Sequence, residues 1–282
     1  MSMDSQSTEG SQKLFEMNQQ CGKDFLGEQG CSIEENYQIM DNPIRLFIGS
    51  SSNGEDASIE AVYEYTLRKN CSRELEIIWM RQTHDASEHW YGYETERWST
   101  PFSGFRWAIP EYCEFKGRAI YTDCDMINFR DIAELWDTDL KGKPVAARKG
   151  NRFGGHEFCV MVIDNLLLGN EVAPVSRQRQ IPEYHSRMVN TFSGNHRLVT
   201  ELDPRWNCLD GEGRELDDIW QLHWTNMATQ PWRPSWYTGT PINHPRQDLV
   251  ELFDGLKIEA AANGYTEKIP VNMFGEYNII GK

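Results

Sequence analysis

The chain is predicted to fold as an α/β protein with a mixed, mostly parallel sheet flanked by helices, on three observations. Short apolar runs alternate with stretches of helical periodicity from residue 44 onward. The first run closes in the small, polar turn Gly49-Ser50-Ser51-Ser52-Asn53-Gly54, as a strand leading into a loop would. No internal repeat or low-complexity linker interrupts the pattern after residue 41, so a single domain over 42–282 is the economical expectation.

Taken in order, residues 1–41 lack periodicity and are rich in Ser, Gln, Glu and Gly, which reads as a flexible or loosely docked N-terminal arm. Ile44-Arg45-Leu46-Phe47-Ile48 is the first strand. Residues 57–69 follow with Ile59, Val62, Tyr63, Thr66 and Leu67 at helical spacing, and Leu75–Met80 is the second strand. Strand, helix, strand at this length implies a right-handed parallel crossover. A helix over Phe105–Phe115 and a strand at Arg118–Tyr121 then lead into Thr122-Asp123-Cys124-Asp125. Ile132–Trp136 is a short helical turn, and Pro144–Ala147 and Phe158–Ile163 are further strands. Leu249–Ala262 is an amphipathic helix that would pack on the domain or on a second copy of the chain, as in a homodimer.

Composition narrows the function classes. With 39% hydrophobic and 25% charged residues over 282 positions, the chain can build a sizeable core. A net charge of −15 argues against a nucleic-acid partner, which needs a basic footprint, and against docking on anionic membranes. The seven cysteines have no CxxC spacing, so a disulfide framework or structural zinc site is not expected. The first residues, MSMDSQSTEGSQ, have no basic or apolar region of a signal peptide. The most apolar stretch, 158–168, is too short to span a bilayer. A cytoplasmic protein without a transmembrane segment is expected.

The acid pair Asp123 and Asp125 is the sharpest local signal. Carboxylates at i and i+2 just past a buried strand point the same way and repel unless a cation sits between them. Mg²⁺ or Mn²⁺ would accept both and complete its shell with water and phosphate oxygens, at the strand end where ligands collect in open α/β sheets. A loop whose acids merely cap a turn would carry the same letters.

The wider segment 121–136, Tyr-Thr-Asp-Cys-Asp-Met-Ile-Asn-Phe-Arg-Asp-Ile-Ala-Glu-Leu-Trp, resembles the DxD region of glycosyltransferase family 8 and related bacterial enzymes of the GT-A, Rossmann-like fold. Ile44–Gly49 resembles that family's nucleotide-binding first strand, and Ser103–Pro110 its helix with an Arg and a Pro four residues later. Leu202-Asp203-Pro204-Arg205-Trp206-Asn207 resembles its acceptor-side Trp-Asn element. His223-Trp224-Thr225 through Gln230-Pro231-Trp232 is similar to its His-led motif. The set spans about residues 44 to 235 in the family's order.

The resemblance implies a metal-dependent, retaining glycosyltransferase of the hexosyltransferase type. It would use Mn²⁺ or Mg²⁺ and a nucleoside diphosphate sugar, UDP-sugar favoured, with a glycan or small-molecule acceptor. It implies Asp123, Asp125 and His223 as metal ligands. Read alone, His223 suits a hydrogen-bonded core histidine equally well. Gly49, Ser50, Arg106, Lys149, Thr225, Gln230 and Trp232 are the expected nucleotide-side contacts, with Arg152 and the loop 150–155 as a further source of positive charge. Lys149 and Arg152 would serve an ordinary surface loop as well. Asp164 and Asn165, after the strand ending at Ile163, are the catalytic candidates beside the donor sugar, or simply cap that strand's end. Trp98, Trp107, Trp224 and Trp236 suit stacking on sugars or packing in the core.

The sequence departs from the family where a Gly is Asn226 and a Lys is Gln230, with Arg233 as a replacement cation, and where Ser193-Gly194-Asn195-His196 stands before the Trp-Asn element. A nucleotidyltransferase also uses paired Asp on an α/β sheet, but usually with a basic Gly-rich first loop, and residues 50–56 contain no Lys or Arg. A degenerate transferase kept as a binding or scaffold protein is the remaining alternative.

Overall fold

Strand β1 (Ile44–Gly49) is buried along nearly its whole length, as the continuous apolar run requires of a central parallel strand. In the computed structural model, residues 43–150, 155–233 and 239–268 are described. The expected arm over 1–41 lies outside them. Helix α1 (Ala57–Lys69) begins and ends where its periodicity does, and β2 (Leu75–Met80) returns parallel to β1. Arg68 and Lys69 in the last turn of α1 oppose the negative end of its dipole.

The main sheet has the order β2-β1-β3-β6-β5-β7, with β3 (Arg118–Asp123), β5 (Val145–Lys149), β6 (His156–Asp164) and β7 (Val199–Leu202). Strand β3 is parallel to β1, and β5 is parallel to β7. Strand β6 runs antiparallel to both of its neighbours, making the sheet mixed but mostly parallel. A second sheet, β4-β9-β8, is built from β4 (Met126–Asn128), β8 (Cys208–Leu209) and β9 (Gln221–His223). Strands this short carry no periodicity to read.

The helix expected over Phe105–Phe115 is shorter. A 3₁₀ turn over Phe105–Ala108 passes into α2 (Ile109–Tyr112), and the chain then turns left-handed at Glu114 (φ 53°) and Phe115 (φ 59°). Helix α3 (Ile132–Trp136) starts where predicted because Asp131 caps it, its carboxylate accepting from Ala133 N at 2.9 Å. Three further short helices, α4 (Asn165–Gly169), α5 (Val175–Gln178) and α6 (Tyr184–Phe192), join β6 to β7.

Helix α1 belongs to two cores. Tyr63 and Leu67 pack in the large cluster under the main sheet, while Ile59 and Val62 join Ile127, Leu222, Trp224, Trp232, Leu249 and Phe253 in a smaller one. The last two come from α7 (Gln247–Ala262), which therefore packs on its own domain through its apolar face. Tyr63 ties the sheets together: its hydroxyl lies 3.0 Å from Thr122 Oγ1 on β3 and 3.2 Å from Gln221 Oε1 on β9. Among the described residues no helix is long and apolar enough to cross a membrane, and Cys71, Cys113, Cys124, Cys159 and Cys208 are unpaired.

Candidate metal centre

The acid pair lies at the carboxyl end of β3, where the chain steps from the main sheet to the small one. Asp123 is the last residue of β3 and pairs in register with Gly49 at the end of β1. Three residues later β4 begins, antiparallel to β9, with Met126 opposite His223. That pairing brings the distant imidazole to the acids. Trp224 N donates to the carbonyl of Asp125 at 2.9 Å, and His223 Nε2 lies 3.3 Å from Asp125 Oδ1.

The other side of the ring is fixed. His223 Nδ1 lies 2.9 Å from the amide oxygen of Asn207, a fully buried residue, so Nδ1 donates there and Nε2 is the nitrogen turned toward Asp125. Burial works against charging the imidazole, but the Asp125 carboxylate outweighs it and the pKa is raised. Asp125 Oδ1 is buried and makes no hydrogen bond despite its contact with the ring. An acceptor so placed fits a cation ligand better than a structural acid.

Asp123 is held from behind. Arg106 Nη2 donates to Asp123 Oδ1 at 3.0 Å and the Tyr121 hydroxyl donates to the same oxygen, so Oδ2 is the oxygen left for a cation. Arg106 is buried at 4% exposure, with its guanidinium 4.2 Å from the Tyr121 ring centroid and further bonds to the carbonyls of Ser103 and Phe158. It was expected on the diphosphate; instead it positions Asp123, all three of its nitrogens being engaged inside the protein.

A third potential ligand joins from β6. The carboxylate of Asp123, Sγ of Cys159 and a ring nitrogen of His223 all lie within 4.8 Å of one another. Burial pushes the Cys159 thiol well above its ordinary range, and the Asp123 charge adds to this. Asp56, in the loop after β1, is pushed up to about 7 by desolvation, with hydrogen bonds from Ser51 and Trp232 opposing and the charge of Asp125 adding. Asp56, Asp123 and Asp125 thus crowd negative charge at one strand end, the condition a divalent cation relieves.

The residues expected on the nucleotide side are mostly engaged with other groups of the protein. Gly49 must be glycine: a Cβ there would meet Phe102 Cδ2 at 2.6 Å and the Tyr121 hydroxyl at 2.8 Å. Ser50 is buried and donates to Glu60, while Ser51 Oγ donates to Glu55 at 2.8 Å, so the loop is held by its own acids. Lys149 is exposed at the end of β5, at the same end of the sheet as Asp123. Arg152 lies outside the described residues, as does Trp236. Thr225 is exposed and spends its hydroxyl on Asp210 at 2.7 Å. Gln230 is buried and donates to the Trp224 carbonyl, and Trp232 is a core residue whose Nε1 donates to Asp56 at 3.2 Å. The three order the turn behind His223. Arg233, expected as a replacement cation, donates instead to the carbonyls of Ala228, Gln230 and Trp232. Trp107 and Trp224 are fully buried, so packing and not sugar stacking is their role.

The catalytic candidates lie at the other end of the sheet from the acid pair. Because β6 is antiparallel to β3, Asp164 pairs with Arg118 at the far end of the sheet, five residues from Asp123 along β3, or about 17 Å at ~3.3 Å per residue. Asp164 caps α4, accepting from Leu167 N at 2.9 Å, and Asn165 is fully buried, donating to the Lys116 carbonyl at 3.0 Å. The end of β6 that reaches the acids is its start, around Cys159, which the sequence reading passed over. Asn207 was singled out by the Trp-Asn resemblance, but for the acceptor and not for the histidine it supports.

Comparison with known proteins agrees with the family suggested by the motifs. The model of glycosyl transferase family 8 matches residues 69–164, from the end of α1 through the acid pair to the end of β6. The structure is similar to the apo structure of the bifunctional glycosyltransferase WbbM, at TM-score 0.55 and 14% identity over 79% of this chain and 50% of that one. The galactosyltransferase LgtC, in complex with donor and acceptor sugar analogs, is similar at TM-score 0.53 and 14% identity over 77% and 96%. GlyE from Streptococcus pneumoniae TIGR4 is similar at TM-score 0.52 and 15% identity over 79% and 65%. The chain thus spans about half the length of WbbM and two thirds of GlyE. At these identities the likeness shows the fold, which is GT-A. No curated protein sequence matches the chain.

Proposed function

We propose that the chain is a glycosyltransferase of the family 8, hexosyltransferase type, which the matching family model supports, and that it works with Mn²⁺ or Mg²⁺ and a nucleoside diphosphate sugar, UDP-sugar favoured, and retains anomeric configuration. One observation carries the metal part: the buried Asp125 Oδ1 faces Nε2 of His223 at 3.3 Å, with no other partner for that oxygen. Asp125 and His223 are the direct ligands in this reading. Asp123 lends its second oxygen to the cation or meets the ribose, in a position set by Arg106 and Tyr121. When bound, the cation stabilises the charge that grows on the diphosphate leaving group.

The remaining residues shape the approach. Gly49 and the loop from Ser50 let the nucleotide come close to the backbone at the end of β1. Lys149 supplies a positive charge at the same edge of an otherwise acidic molecule. Asp164 and Asn165 take no part. The sugar acceptor is a glycan or small molecule. Isothermal titration of the full chain with UDP tests the reading: heat is expected with Mn²⁺ and not with EDTA. UDP binding of equal strength in EDTA, or none in Mn²⁺, overturns it.

A further inference from the structure

We propose that Cys159 is a further arm of the metal centre and that its thiol lets the site take a thiophilic divalent cation, Zn²⁺ or Co²⁺, through sulfur. This rests on the metal reading of Asp123 and His223 above and extends it to a residue outside the DxD and His-led motifs. The reversed course of β6 is what brings it there: Val160 pairs with Thr122, which places Cys159 one residue on, beside Asp123.

The donor set decides the chemistry. A carboxylate oxygen, a sulfur and an imidazole nitrogen, all within 4.8 Å of one another, are the three ligand types that zinc takes in proteins. With Zn–S near 2.3 Å and Zn–N near 2.0 Å, tetrahedral donors stand roughly 3.5 Å apart, so closing the set asks for movements of about 1 Å. The imidazole is already turned for it, since Asn207 occupies Nδ1 at 2.9 Å. A cysteine serving only as a small hydrophobe would be expected among apolar neighbours. Cys159 packs against the large apolar cluster on one side, yet its sulfur lies within 4.8 Å of the Asp123 carboxylate and the His223 ring.

Binding forms the metal–sulfur bond and breaks the S–H bond, the proton passing to solvent. Asp123, Cys159 and His223 then fill three of four tetrahedral positions and leave one for Asp125 or a phosphate oxygen. A six-coordinate Mn²⁺ or Mg²⁺ held by the acids and the imidazole keeps more positions open for the nucleotide. Zinc bound through Cys159 is therefore expected to compete with Mn²⁺-supported UDP binding.

Cobalt makes the sulfur visible. The metal-free full chain with one equivalent of Co²⁺ should show a sulfur-to-cobalt charge-transfer band in the near ultraviolet, and Cys159→Ser should abolish it. The same variant should weaken Zn²⁺ binding by more than the roughly 10–100-fold that losing an outer-shell partner costs. A wild-type spectrum without the band, or a band that survives in Cys159→Ser, overturns the proposal. Should the variant not fold, residue-resolved alkylation of the wild type replaces it: one equivalent of Zn²⁺ should protect Cys159, and equal labelling with and without zinc overturns the proposal. Mn²⁺-dependent UDP heat measured on the same wild-type sample keeps the two readings apart. Heat without the band removes only the cysteine arm; no heat removes the metal–nucleotide reading.

Discussion

The amide oxygen of Asn207 lies 2.9 Å from Nδ1 of His223, and this one contact decides which ring nitrogen faces Asp125. Asn207 comes from the 3₁₀ turn Pro204–Asn207, and Arg148 donates to its backbone carbonyl while pairing with Glu212. Asn207→Leu removes the acceptor at similar volume. Mn²⁺ affinity is expected to fall by about 10–100-fold, the usual effect of losing a metal-orienting partner. Titration calorimetry of the folded variant checks this, and unchanged affinity would show that the tautomer is set elsewhere.

Arg106 is expected to matter for folding before it matters for catalysis. Removing it strands the buried Asp123 carboxylate, which it meets at 3.0 Å. Breaking a buried pair from one side costs roughly 3–5 kcal/mol, so Arg106→Met should shift urea unfolding by that order. A variant with native stability and only a weakened nucleotide affinity would return Arg106 to the diphosphate.

At Gly49 the sheet leaves no room for a methyl group, with Phe102 and Tyr121 within 2.8 Å of the added carbon. Gly49→Ala is expected to destabilise by about 1–3 kcal/mol as an overpacked site, seen as a lower melting temperature. A variant as stable as the wild type contradicts the close approach.

Stability should also carry a histidine signature in acid. The ring of His185, accepting from Trp107 Nε1 at 3.1 Å, is lowered to about 3 by burial first and by the charge of Arg106 second. The unfolded chain takes up this proton near 6.5 and the folded chain does not, so the stabilisation is full above pH 6.5 and is lost as pH falls toward about 3. The slope is at most about 1.4 kcal/mol per pH unit. Urea unfolding at several pH values should show a shallower acid slope in His185→Phe than in the wild type. Parallel slopes would mean that His185 charges in the folded state.

How much of this was legible in the sequence depended on whether a residue's role is local. The β1–α1–β2 crossover was, because burial on both faces of Ile44–Gly49 and one face of α1 writes its period into the letters. The acid pair was legible for the same reason: two residues apart at a strand end is a local fact. The direction of β6 was not, since an apolar run reads alike whichever way it enters a sheet, and that reversal moved Asp164 and Asn165 to the far end and Cys159 to the near one. Arg106 shows a second limit. Its place in a helical turn was visible, but whether a guanidinium meets a phosphate or a neighbouring carboxylate depends on which side chains the fold brings within 3 Å. The small sheet, with strands of two and three residues, was below what periodicity resolves, yet it is what joins His223 to Asp125.

Diffraction from crystals soaked with Mn²⁺ and UDP, recorded for the anomalous signal of manganese, addresses the metal centre most directly. The expected result is one strong peak about 2.0–2.3 Å from both Asp125 and His223 Nε2, where ring and carboxylate now face each other. A peak bound to neither residue, or His223 still in direct contact with Asp125 at saturating Mn²⁺, would contradict it.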